Sequence, residues 1–323
     1  MSIYDYITFT DIITSKTDWL WYPYIPKGKV TIIMGDPGEG KTTLALNIAA
    51  SVSNGKPFWG GEDRVPADVI YQTAEDGLSD TIKPRLEAAN ADCSRIHTIN
   101  ELDRGFELTD ERLPDVIQEL GAELVIIDPI QAFLGPKVDM NRANEIRPYM
   151  SYLAGIANQY NCAVVLIGHL NKNTGAKAAY RAIGSIDITA AARSVLIVAK
   201  DKGAPENRVV AHIKSSLAPQ GKTVAFELGD NSGFAYKGEY KADIDDLLLG
   251  IPSGNESITE KAKHILREMI PEGEEVSSAK IVRVAEEAGI SQNMLGKVKR
   301  AMGIASKKKN DGCWYWYYPQ GKK

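Results

Sequence analysis

The stretch that most restricts the fold is Gly35-Asp36-Pro37-Gly38-Glu39-Gly40-Lys41-Thr42, which meets the pattern G-x-x-x-x-G-K-[ST] at every required position. Before it, Lys29-Val30-Thr31-Ile32-Ile33-Met34 reads as a buried strand, and after it Thr42-Thr43-Leu44-Ala45-Leu46-Asn47-Ile48-Ala49 opens a helix. Strand, glycine loop and helix are what a phosphate cradle requires. The glycines let successive backbone N–H groups converge on one phosphate, and the helix N-terminus adds the positive end of its dipole. Lys41 is expected to reach the β and γ oxygens, and the Thr42 hydroxyl to ligate Mg²⁺. The implied ligand is a nucleoside triphosphate with Mg²⁺, held by Gly35, Asp36, Pro37, Gly38, Glu39, Gly40, Lys41, Thr42 and Thr43.

The chain has 323 residues, room for about two domains. Its composition, 44% hydrophobic and 25% charged, is that of a globular protein rather than a disordered one. No run of 18 apolar residues and no basic-then-apolar start is present, so neither a membrane span nor a signal peptide is expected, and the cytoplasm is the expected location. Cys93, Cys162 and Cys313 lie far apart without a C-x-x-C pair, which argues against a zinc site or disulfide framework and for buried thiols. The net charge of −4 hides an asymmetry: residues 256–323 hold 13 Lys and Arg against 9 Asp and Glu, and residues 1–255 hold 25 against 33. The small basic segment is the one suited to an anionic partner such as nucleic acid.

From Lys29 onward, apolar strands alternate with amphipathic stretches, through a strand at 163–168. This alternation implies an α/β fold, a mostly parallel sheet flanked by helices. After Ala192 the pattern changes to strands at 193–199, 207–215 and 223–228, joined by short Gly/Pro turns, as expected of hairpins added at the sheet edge. The expected division is a core over 1–228, a linker over 229–256 and a small domain over 257–323.

Three further residues fall where a nucleoside triphosphatase needs them. Leu124-Val125-Ile126-Ile127-Asp128 is an apolar strand ending in an acid, which places a carboxylate beside Mg²⁺. Val69-Ile70-Tyr71-Gln72-Thr73-Ala74-Glu75 is a second such strand, and Glu75 could orient and deprotonate an attacking water; a surface acid is the alternative. Val164-Val165-Leu166-Ile167-Gly168-His169 ends in a side chain that could sense the γ-phosphate or serve structure alone.

The order of phosphate loop, Glu75, Asp128 and His169 resembles the RecA-like ATPases, specifically hexameric helicases of the RepA and DnaB kind. Residues 19–28 (Trp-Leu-Trp-Tyr-Pro-Tyr-Ile-Pro-Lys-Gly), His169-Leu170-Asn171-Lys172 and Gly184-Ser185-Ile186-Asp187 look like RepA-like ATPases of phages and mobile elements. That resemblance implies ATP as the triphosphate, Glu75 as catalytic base, His169 as a coupler, and Lys172, Lys177 and Arg181 on a loop contacting DNA. A solvated loop is the alternative. It also implies a homo-hexamer or other ring with sites between subunits, and a possible primase or initiator partner. A DnaB-type N-terminal collar is not expected, so the core would carry ring formation. A trans-acting cation would come from Lys214, Arg208 or Arg193, with a surface or salt-bridged role as the alternative for each; Ser216 stands where the DnaB-like finger motif has arginine. The implied activity is a DNA-coupled ATPase, a replicative helicase on single strands. The alternatives are a regulatory or partition-type ATPase, a recombinase-like filament former, or a loader.

In residues 281–300, Val284, Ala285, Gly289, Ile290, Leu295 and Val298 fit a helix-turn-helix with Ser291 as N-cap. Gln292, Asn293, Lys297, Lys299 and Arg300 are expected on the outer face of its second helix. Lys307-Lys308-Lys309, a turn signal at Asn310-Asp311-Gly312 and an aromatic strand complete a winged-helix pattern that suits DNA, or alternatively a protein partner. The period of two in Trp314 and Trp316 favours packing over base stacking.

Overall fold

The computed structural model describes residues 7–135, 138, 142–170, 186–229, 233–248, 253, 258–271 and 273–319. The chain divides into two compact units, Met1–Gly250 and Ile251–Lys323. Among the described residues no helix is long and apolar enough to cross a membrane.

The first unit opens with a short antiparallel pair, β1 (Trp19–Trp21) and β2 (Ile25–Pro26). β3 (Val30–Gly35) runs into the glycine loop and α1 (Lys41–Asn54). There follow β4 (Val69–Thr73), α2 (Lys83–Ala88), β5 (Ile96–His97), α3 (Arg112–Leu120), β6 (Leu124–Asp128), α4 (Ala143–Tyr160) and β7 (Ala163–His169). After α5 (Ile186–Ala191) come β8 (Ser194–Lys200), β9 (Asn207–Ser215), β10 (Val224–Leu228), β11 (Phe234–Glu239) and α6 (Ile244–Leu248). All strands from β3 to β11 join one nine-stranded sheet, in the order β11-β10-β9-β8-β3-β7-β6-β4-β5. From β8 to β5 neighbouring strands are parallel, and from β8 to β11 they form an antiparallel meander.

Both faces of the parallel part are covered, so its strands are apolar at consecutive positions. Ile32, Ile70, Ile127 and Leu166 point to the face carrying α3 and α4, and Ile33, Tyr71, Ile126 and Val165 to the face carrying α1. The tryptophan-rich start of the unit packs on that second face. Trp21 stacks on Tyr24 at 4.0 Å between centroids and meets Phe58 and Trp59 edge-on.

The sheet does not stop at Leu228. Much of the stretch expected as linker belongs to the first unit: β11 pairs with β10, and Leu247 of α6 packs against Ala199 and Val209. The thiols also differ from expectation. Cys162 is buried, Cys93 is half-buried and Cys313 is exposed, because Cys313 sits just past a hairpin turn.

In the second unit, α7 (Ile258–Met269) is followed by β12 (Val276–Ser277), α8 (Ser278–Glu287), α9 (Gln292–Ala301), β13 (Ala305–Lys308) and β14 (Trp314–Tyr317). The strands form an antiparallel sheet in the order β12-β14-β13. Ala262, Leu266, Ile281, Ala285, Ile290, Leu295 and Val298 make its core. Between α8 and α9, Gly289 has φ +80°, a conformation that strains any side chain, and Ser291 caps α9 by accepting from the Met294 N–H at 3.3 Å.

Near the meander's start, His212 is buried between two fixed partners. The Gly221 N–H donates to its Nδ1 at 3.0 Å, so Nε2 carries the proton toward Ser194 Oγ, also at 3.0 Å. Burial pushes this imidazole down to about 4. The unfolded chain binds the proton near pH 6.5 while the folded chain refuses it until near 4, so stability is whole above 6.5 and declines as pH falls through that window. Between pH 7 and 4.5 this residue should remove about 2–3 kcal/mol of unfolding free energy. Denaturant titrations across that range should show a correspondingly shallower pH dependence in His212→Gln.

Candidate functional site

The glycine loop is shaped to receive an anion. Gly38 and Gly40 have φ +78° and +89°, left-handed values that let the loop curl without a Cβ in the way. Among the described residues, no carbonyl or side-chain acceptor takes the N–H of either glycine, and the position a Gly38 Cβ would occupy faces open space. Free N–H groups at the start of α1 suit a phosphate. Lys41 is buried, and its ammonium donates to the Asp36 carbonyl across the loop at 2.8 Å. Burial lowers its pKa, while Asp128, Glu39, Asp36 and Glu75 pull the other way. A buried cation among four carboxylates leaves room for further negative charge only where the N–H groups help hold it.

Asp128 closes the site from β6. Its Oδ2 accepts from both the Thr42 hydroxyl and the Tyr71 hydroxyl, each at 2.8 Å. Burial raises its pKa against the opposing effect of these two bonds and of Lys41. Thr42 and Asp128 thus bring two hard oxygen donors together. No group of three His, Cys, Asp or Glu side chains able to hold a metal occurs among the described residues. Mg²⁺ in phosphate sites needs only one or two protein oxygens, the rest coming from phosphate and water, so this pair fits it.

Glu75 follows β4 and His169 ends β7, whose last pair in the sheet is Gly35 with His169. β4 is not beside β3, because β7 and β6 lie between them. The parallel sheet nevertheless brings all their C-terminal ends to one edge, and Glu75 Oε1 stands 3.8 Å from His169 Nε2. Glu75 is largely exposed there, whereas His169 Nδ1 is buried without a partner among the described residues.

The three candidates for a trans-acting cation separate clearly. Arg208 is buried in its own chain: Nη1 donates to the Pro205 carbonyl at 2.6 Å, and Cγ lies 3.5 Å from where a Gly40 Cβ would stand. It is a neighbour of its own glycine loop. Lys214 donates to the carbonyls of Thr189, Ala190 and Ala192 at 2.6–3.0 Å, so it caps the C-terminal end of α5. Arg193 has an exposed side chain. Lys172, Lys177 and Arg181 lie outside the described residues.

On the second unit the expected basic residues are also sorted by their neighbours. Lys307 and Lys309 are held by Glu275 at 3.3 and 2.8 Å, Lys299 bonds Ser306 and lies over the Trp316 ring, and Gln292 bonds Glu286. Asn293, Lys297 and Arg300, spaced as one helical stripe, remain exposed together with Lys308.

One residue escaped the sequence reading, and so did the surroundings of another. Tyr71 holds the Asp128 carboxylate, and Arg208 lines the loop in cis. A tyrosine inside a buried strand was the available signal, since its hydroxyl must find a partner. Nothing local marks the place of Arg208 beside its own loop.

A phosphate loop at the central strand of a parallel sheet, facing a carboxylate two strands away, defines a P-loop ATPase with the RecA-like fold. The chain belongs to the AAA domain family, whose model matches residues 9–175. DNA repair protein RadA of Bacillus subtilis (strain 168) is 25% identical over 150 residues, 46% of this chain and 29% of RadA. The chain therefore spans less than a third of that relative's length. DNA repair protein RAD51 homolog 4 of Bos taurus is 25% identical over 240 residues, 66% of this chain and 69% of its own length. Among solved structures, the ATPase domain of G40P matches with TM-score 0.50 and 17% identity, covering 65% of this chain and 85% of that one, a likeness of fold.

The Tyr71 bond can be tested alone. Tyr71→Phe should lower the unfolding free energy by about 1.5–3 kcal/mol, the range for a buried hydrogen bond to a charged group. In an Asp128→Asn background the same change should cost less than about 1 kcal/mol, read from denaturant unfolding as a double-mutant cycle.

Proposed function

We propose that this protein hydrolyses ATP with Mg²⁺ and couples hydrolysis to DNA, as the motor subunit of a ring that moves on single strands. The observation that carries the hydrolytic half is the pairing of Glu75 with His169 at 3.8 Å on the sheet edge that also presents Lys41, Thr42 and Asp128. Glu75 is exposed enough to meet a water and serves as general base. His169, one strand from the loop and contacting Glu75, moves with that carboxylate and passes the state of the site to the chain that follows β7. Lys41 and the loop N–H groups bind and orient the phosphates; Thr42 and Asp128 hold the metal. When bound, Mg²⁺ neutralises charge on the phosphate oxygens. Arg193 supplies the trans-acting cation, and Lys172, Lys177 and Arg181 contact the DNA backbone.

The DNA half draws support from the second unit. Its order of helix, strand, two helices and hairpin suits a winged helix, with a capped second helix and the stripe Asn293, Lys297 and Arg300 facing solvent. We assign residues 257–323 to this DNA-binding domain and the preceding residues to the ATPase core, in a replicative helicase of a phage or mobile element. The DNA repair names of RadA and RAD51 homolog 4 favour a second reading, a recombinase-like filament.

Glu75→Gln should reduce ATP turnover about 10²- to 10⁴-fold while leaving binding of a fluorescent ATP analogue in place. Single-stranded DNA should stimulate the wild-type rate more than duplex does, and forked substrates should be unwound. Stimulation without unwinding selects the filament. No stimulation by either DNA, with mass measurements showing a monomer in ATP analogue, sinks the motor.

A further inference from the structure

Strand alternation gives the β13–β14 hairpin two unlike faces. On one, Lys307 pairs across the strands with Tyr315, and the groups near the turn are engaged: Lys307 and Lys309 with Glu275, the Lys309 ammonium 4.1 Å over the Tyr315 ring, and the Tyr315 hydroxyl with Asp311 at 2.8 Å. On the other, Ser306 pairs with Trp316 and Lys308 with Trp314. Trp316 packs against the helical core beneath Lys299, whereas Trp314, two residues earlier and next to the turn, is 51% exposed. Lys308 is exposed beside it and has no ion-pair partner among the described residues. The packing expected from the period of two thus holds for Trp316, while the Trp314 ring stays half in water.

We propose that Trp314 is a stacking platform for an unpaired nucleobase, with Lys308 holding the adjoining phosphate. The second unit then recognises the junction between duplex and single strand, α9 taking the duplex backbone and the hairpin tip taking the first unpaired base. The chemistry fits that occupant: every base has a π-face that an indole can cover without sequence preference, and a neighbouring ammonium pairs with the backbone. The face is also the one continuous with α9 through Lys299, which bonds Ser306 of β13. This rests on the reading that the second unit binds DNA and narrows it from duplex to junction.

The test uses the full-length protein without nucleotide and two oligonucleotides, a blunt duplex and the same duplex with a short overhang whose first unpaired base is 2-aminopurine. Any binding by the core is common to all variants. Trp314→Ala should weaken junction binding about 5- to 100-fold and abolish quenching of the 2-aminopurine, with blunt-duplex affinity kept within about twofold. Trp314→Phe should retain the quenching. A Lys308→Ala, Arg300→Ala double variant should weaken both ligands and flatten the dependence on salt. If Trp314→Ala binds and quenches as wild type while the double variant weakens, stacking is wrong and DNA binding by this unit stands. Equal losses on both ligands in Trp314→Ala, with an unchanged melting temperature, also overturn stacking. Should none of the variants change any binding, the DNA-binding reading fails and takes this one with it.

Discussion

One oxygen, Oδ2 of Asp128, ties the site together. It accepts hydroxyl hydrogens from the first turn of α1 and from β4, so a single buried carboxylate fixes the helix behind the glycine loop, its own strand and the strand leading to Glu75. Burial alone would drive this acid toward its neutral form; the two hydroxyls and nearby Lys41 oppose that. A charge held this way is positioned before any ligand arrives. The reorganisation that a metal or phosphate would otherwise require is thereby reduced.

The same order runs through the whole edge of the sheet. Parallel strands end on one side, so residues distant in sequence, 42, 75, 128 and 169, need no loops of special length to converge. Loops can then vary without dispersing the chemistry, in keeping with the rule that open α/β sheets bind ligands outside the carboxyl ends of their strands.

Much of this was legible in the chain itself, for identifiable reasons. The glycine loop is read from residue identity, because φ near +80° and a buried ammonium admit few substitutes at Gly38, Gly40 and Lys41. Asp128, Glu75 and His169 were legible because each ends an apolar run. The antiparallel strands after Ala192 announced themselves by short turns. What stayed hidden depends on contacts far apart in sequence. The partner of Tyr71 came into view only with β6 laid beside β4, and the contacts of Arg208 and Lys214 only with the loop and α5 found next to them. On the second unit, a count of 13 basic residues hid the fact that Glu275 already occupies two of the three consecutive lysines. The β11 pairing was missed because residues 229–239 are rich in glycine and polar groups, and a strand on a sheet edge carries only a weak apolar signature.

The flank of the glycine loop has a consequence for how the protein is made. Gly40 is backed by Arg208, Phe226 and Leu228, residues on β9 and β10 that lie about half a chain away from it in sequence. A nascent chain released only as far as β7 would contain the entire phosphate motif, both acids and the histidine, and still lack the wall against which the loop rests. The wall beside the loop is thus complete only once the antiparallel meander has been made.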